Sequence, residues 1–119
     1  MAKTSEEIYD RACFAALVDD VGEETSRAAL RLFFSDTGAR LDRMGGGDGA
    51  GDVEVVQRFA HTVKSSAATF GFNHLSSLAR RLEHDTAHLA SVDLAARIDE
   101  LRSALAAVRM LIAGRDELT

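Results

Sequence analysis

The 119-residue chain contains no proline and no tryptophan, and only one cysteine. Proline punctuates turns and strand edges in most folds, so a chain with none, rich in Ala, Leu, Arg and Glu, leans towards helix. The lone Cys13 cannot close an intramolecular disulfide, which excludes a disulfide-stapled secreted scaffold. There is no excess of positive charge: the formal net charge is −5, where a general nucleic-acid binder would need a basic face. There is also no long apolar run. The longest, Cys13 to Val18, is far too short to span a bilayer, and the polar opening residues 1–7 are unlike a signal peptide. What remains is ordinary for one soluble domain over residues 1–119, with 46% hydrophobic and 28% charged residues, expected in the cytoplasm.

The apolar residues are spaced for helices. A first pattern spans about Ser5 to Asp20, with Ile8, Cys13, Phe14, Leu17 and Val18, and Gly22 breaks it. The second runs from Glu23 to Met44 on a stripe of Leu30, Phe33, Phe34, Thr37, Leu41 and Met44, which Gly38 weakens but does not end. Five of the nine glycines then fall between Gly45 and Gly51, predicting a flexible loop over 45–52 with Asp52 as N-cap of the next helix. The third stripe is Val56, Phe59, Val63, Ala67 and Phe70, with Gly71 placed as a helix terminator. Asn73 can cap a fourth pattern of Leu75, Leu78, Ala79, Leu82, Thr86 and Leu89. Ser91 or Asp93 can cap a fifth, with Leu94, Ile98, Leu101, Leu105, Val108 and Ile112. Period-two alternation is absent, so no strand is expected. Four bundle-length amphipathic helices predict an all-α, antiparallel up-down-up-down four-helix bundle, with the short first helix across one end.

His61 stands apart from this apolar pattern. A helix turns 100° per residue, which puts His61 roughly 160° from the centre of the third stripe, facing outward. Gln57, Lys64 and Ser65 flank it one turn away, and Ala68 lies two turns on, leaving room for a macromolecule to approach. A solvated surface histidine would look similar. Two features argue for more. Lys64 is one of only two lysines against twelve arginines. The stretch from Gln57 to Leu82 holds Arg58, Lys64, Arg80 and Arg81 without one acidic residue, a local charge of +4 in a chain whose total is −5. Such a patch on an acidic protein suits an acidic or phosphorylated partner.

The stretch from Ala60 to Gly71, AHTVKSSAATFG, resembles the signature of histidine-containing phosphotransfer (HPt) domains, and Phe72 to Glu83, FNHLSSLARRLE, looks like the helix that follows it. His61, Lys64, Ser66, Ala67, Gly71, Leu75, Leu78, Leu82 and Glu83 match the family pattern. Ser65 departs from it, standing where the family usually has glycine. The resemblance implies a four-helix bundle that works as a phosphocarrier in a His–Asp phosphorelay. A receiver domain bearing phosphoaspartate would dock over the exposed His61. The ring would take the phosphoryl group on Nε2 and relay it to a second receiver.

Elementary chemistry is consistent with these roles. Neutral imidazole offers a lone pair without a separate general base, and phosphoryl transfer is mostly positioning plus neutralisation of the equatorial oxygens. Lys64 can bring an ammonium to those oxygens. Ser66 can donate a hydrogen bond near the site, although on the wheel it leans towards a neighbouring helix and can equally be a small packing residue. Glu83 can orient the imidazole, or be a surface carboxylate. Gln57, Arg58, Ser65, Ala68, Arg80 and Arg81 are expected to form the docking face. No cofactor is expected on this chain, because Mg²⁺ would belong to the partner receiver. The expected partners are response-regulator receivers and a hybrid histidine kinase, met by a monomer. There is no length for an ATP-binding kinase domain.

Other candidates weigh less. His84 and His88 have the i, i+4 spacing of half a metal site but lack further ligands. His74, just after the Gly71 turn, is expected at the surface or at the periphery of the docking face. The glycine-rich loop lacks the Lys-Ser/Thr of a P-loop, and Asp48 and Asp52 do not complete an EF-hand. Leu32, off its stripe, is expected under the first helix, or else on the docking surface. Two alternatives to a phosphocarrier remain: a module that docks a receiver or kinase without carrying phosphate, and a structural or metal-holding helical bundle.

Overall fold

The computed structural model describes residues 8–45 and 53–113. The described residues form five α-helices and no strand: α1 (Arg11–Val21), α2 (Glu23–Gly45), α3 (Val53–Phe70), α4 (Asn73–Asp85) and α5 (Ser91–Ala113). A 3-10 turn, Thr86–His88, follows α4. The expected loop at 45–52 and the Asp52 cap lie outside the described residues, save that Gly45 closes α2.

The apolar stripes became the core. The expected stripe residues of α2, α3 and α5 are all buried, as are Leu75, Ala79 and Leu82 of α4. Leu and Phe side chains withdrawn this way contribute roughly 1.5–3 kcal/mol each relative to exposure. Gly38 sits inside an unbroken α2. Phe72 joins Tyr9, Phe33, Phe34 and Phe70 in an aromatic cluster with ring centroids 5.4–5.8 Å apart. The cluster pins the turn between α3 and α4 against α2.

That turn is made by Gly71, at φ +84°. Its carbonyl accepts from the Asp10 N–H at 2.8 Å, and the Phe72 N–H closes on the Ala67 carbonyl at 2.8 Å. A Cβ built on Gly71 would stand 2.3 Å from the Asp10 carbonyl oxygen and 2.9 Å from Cys13 Cβ. Glycine is therefore required here twice over, for the left-handed backbone and for the close approach of the segment entering α1. Past the turn α4 runs back along α3: Gln57 bonds to residue 83, and Lys64 to residue 76. Only an opposite run brings the early part of one helix to the late part of the other.

Several boundaries differ from expectation. The start of the first pattern near Ser5 lies outside the described residues; Ile8 is helical, and Asp10 then caps Arg11–Val21 as a helix of its own, its side chain accepting from the Ala12 N–H at 3.0 Å. Tyr9, just ahead of that cap, is buried at the end of the bundle. Asn73 does not cap α4. Phe72 occupies the N-cap position with no side-chain bond, so ring packing outweighed capping chemistry there. The fourth stripe outruns its helix, which stops at Asp85; Thr86, buried in the following turn, donates its hydroxyl to the Leu82 carbonyl. Helix α5 begins at Ser91, with the Ala90 carbonyl accepting from the Leu94 N–H at 2.9 Å, so Asp93 falls inside its first turn; the expected Ser91 cap rests on a side chain outside the described residues. Leu32 is not under α1: it is 68% exposed. No helix among the described residues is long and apolar enough to cross a membrane.

Candidate functional site

His61 lies at mid-length of α3, on the face turned from the core, with 60% of its side chain exposed. Val63 and Phe59, two positions either side, are buried, so packing of the stripe sets the ring's outward direction. Across the hairpin, Glu83 rises from the last turn of α4 with one carboxylate oxygen on each partner. Oε2 is 2.8 Å from His61 Nδ1 and Oε1 is 2.8 Å from Lys64 Nζ. The two α3 residues are one turn apart, which matches the span of a single carboxylate.

The electrostatics follow from that bridge. The Lys64 ammonium hydrogen bond holds the Glu83 carboxyl below its ordinary value, His61 adds in the same direction, and partial burial opposes both. A carboxylate kept ionised can only accept, so Nδ1 must carry the ring proton. Nε2 is then the nitrogen left to face solvent. A ring held through Nδ1 by a carboxylate is fixed in both tautomer and orientation.

The hairpin has two further ties. Gln57 Nε2 donates to the Glu83 carbonyl at 3.3 Å, and Ser76 Oγ donates to the Lys64 carbonyl at 2.9 Å. The first places an expected docking residue beside the bridge. The second is a contact sequence reasoning missed. Its only signal is a serine one position off the α4 core stripe.

The other expected residues distribute as follows. Ser65 and Ala68 are exposed on the His61 side of α3, and Arg80 and Arg81 are exposed on α4, lining a shallow hollow of about 520 Å³ with Glu83, His84 and Asp85. Ser66 is half-buried in the groove between α2 and α3, together with Thr62 and Thr69. Five residues beyond His61 it has turned about 140° around the helix, so it is not brought to the imidazole. Arg58 is exposed and faces Arg40 and Arg43 of α2 across a cleft of about 570 Å³. Sequence reading missed those two arginines, because nothing local says which helix lies opposite Arg58. His84 and His88 do not share one helical face, since the helix ends between them. No group of three or more His, Cys, Asp or Glu side chains among the described residues is placed to hold a metal.

No curated protein and no solved structure matches the chain. A family model does: the Hpt domain, over residues 28–110, from the second turn of α2 to the last turn of α5. The match spans more than half of the chain and contains His61, Lys64 and Glu83. Such domains are phosphocarrier modules of two-component phosphorelays, not catalytic kinase domains. The chain belongs to the Hpt domain family.

Proposed function

We propose that the chain is a phosphocarrier whose acceptor is His61 Nε2, receiving a phosphoryl group from a receiver phosphoaspartate and passing it to a second receiver. The observation that carries this reading is the Glu83 bridge to His61 Nδ1 and Lys64 Nζ on an exposed helix face. The Nε2 lone pair attacks phosphorus, the bond from phosphorus to the aspartyl oxygen breaks, and the aspartate leaves as a carboxylate. The proton on Nδ1 stays, and Glu83 balances the positive charge the ring gains. Lys64, held within reach, turns its ammonium towards the phosphoryl oxygens as negative charge gathers there. Reversal of the same steps delivers the group onward.

In this reading Gln57, Arg58, Ser65, Ala68, Arg80 and Arg81 surround the docking point, and Ser66 serves packing between α2 and α3. Mg²⁺ is supplied by the acidic pocket of the receiver. The partners are receivers and a hybrid histidine kinase, and the chain acts as a cytoplasmic monomer. The four long helices, α2 to α5, form the antiparallel up-down-up-down bundle of the family, with α1 across the end that holds Gly71. The test is incubation with a phosphorylated receiver. Wild type should gain an acid-labile, base-stable phosphoryl group and His61→Ala none; label surviving in that variant removes His61 as the acceptor.

A further inference from the structure

The patch around His61 is not symmetrical. On the α4 side, Arg80 and Arg81 share their hollow with Glu83 and Asp85. On the α2 side, Arg40, Arg43 and Arg58 line a cleft of about 570 Å³ over Phe59 and Met44. Among the described residues, the one ion pair involving these three arginines is Arg40 with Asp36, at 3.4 Å, and both side chains are about half-exposed. Such an exposed pair is worth little and is readily exchanged. A helix C-terminus attracts cations, which accounts for Arg40 and Arg43 near the end of α2. It does not account for Arg58, which lies in the N-terminal half of α3, where the helix dipole gives a cation no help.

The cleft also continues. Arg40, Phe59 and Thr62 line both it and the adjoining groove between α2 and α3, which reaches the exposed Leu32. One edge of His61's surroundings is thus a band with three guanidinium groups at one end and an apolar contact at the other. Arg58 is one turn from the imidazole. A partner seated over His61 and touching this band would meet positive charge on a protein whose total is −5.

We propose that this cleft selects the partner: it takes a receiver face that sets carboxylates around an apolar contact, with Arg40 and Arg43 as specificity-determining residues. The proposal rests on the phosphocarrier reading. Opposed charge fields steer encounter and reject partners whose charge at that position has the wrong sign.

The test uses the full chain, the receiver that labels it fastest in a transfer panel, and phosphoramidate as a small donor that needs no docking. Arg40→Glu/Arg43→Glu should raise the receiver concentration needed for half-maximal transfer about 10-fold or more. Phosphoramidate labelling of His61 should stay within about twofold of wild type. Transfer to wild type should slow from about 50 to about 300 mM salt, and the variant should lose most of that dependence. A milder Arg43→Gln variant should move the half-maximal concentration the same way, which covers a reversal variant that fails to fold. Unchanged affinity and salt dependence in both variants overturns the proposal. Failure of phosphoramidate to label wild-type His61 overturns instead the phosphocarrier reading on which it stands.

Discussion

Glu83 on α4 holds two α3 residues at once, with Oε2 2.8 Å from His61 Nδ1 and Oε1 2.8 Å from Lys64 Nζ. One carboxylate therefore sets the ring's tautomer and parks the ammonium beside it. Removing either function should have a distinct signature.

Replacing Glu83 separates tautomer control from charge. Glu83→Gln keeps a carbonyl that can accept from Nδ1, and its transfer rate should stay within about fivefold of wild type. Glu83→Ala leaves no acceptor, and transfer should fall about 10-fold or more. Nitrogen NMR of the imidazole should show the Nδ1–H form in wild type and a mixture in Glu83→Ala. An unchanged tautomer in the alanine variant would mean that something other than Glu83 holds the ring.

Lys64→Ala should slow transfer by about 10- to 100-fold, since a hydrogen bond to a charged group is worth roughly 1.5–3 kcal/mol. The fold should survive. The Lys64–Glu83 pair is partly exposed, and such pairs contribute about 1 kcal/mol or less. A large fall in melting temperature with little kinetic effect would make Lys64 a structural residue.

The lowered Glu83 carboxyl has a pH consequence whose sign is fixed. A carboxyl whose folded pKa lies below its unfolded value stabilises the fold fully above the unfolded range, near pH 4.3. That contribution is lost as pH falls through the lowered folded value. Thermal melts of wild type and Glu83→Gln should therefore differ near neutrality and converge in acid. A gap that widens below pH 4 would contradict the bridge.

Gly71→Ala should destabilise the whole domain. The new methyl would enter within 2.3 Å of the Asp10 carbonyl oxygen, at a backbone φ of +84°. Strain and overpacking together should cost about 2 kcal/mol or more, a fall in melting temperature on the order of 8 °C. Gly22→Ala, with a similar φ but open space around its Cβ, should cost less. Equal losses at the two sites would show that backbone conformation alone matters.

The helices were legible in the sequence because burial repeats every three to four residues along each stripe, from Leu30 to Met44 and from Leu94 to Ile112. The outward direction of His61 was legible for the same reason. What a single helix cannot encode is which neighbour it meets, and at what height. That is why Ser76 on the Lys64 carbonyl and Arg40 and Arg43 opposite Arg58 were missed, and why Leu32 was expected under α1. Glu83 was a candidate from its place in the motif, but its double attachment depends on the register of two helices. Local capping rules failed where packing was stronger, at Asn73, where Phe72 entered the aromatic cluster.

The turn at Gly71 is distant in sequence from Glu83, yet it meters the length of chain that returns α4 to α3. Sliding α4 along its partner by one helical turn, about 5.4 Å, would part Glu83 from both atoms it touches. The transfer proposed at the imidazole is in this sense a gauge of hairpin alignment. Lesions in the aromatic cluster, far from any phosphoryl group, would register there as lost transfer before the domain unfolds.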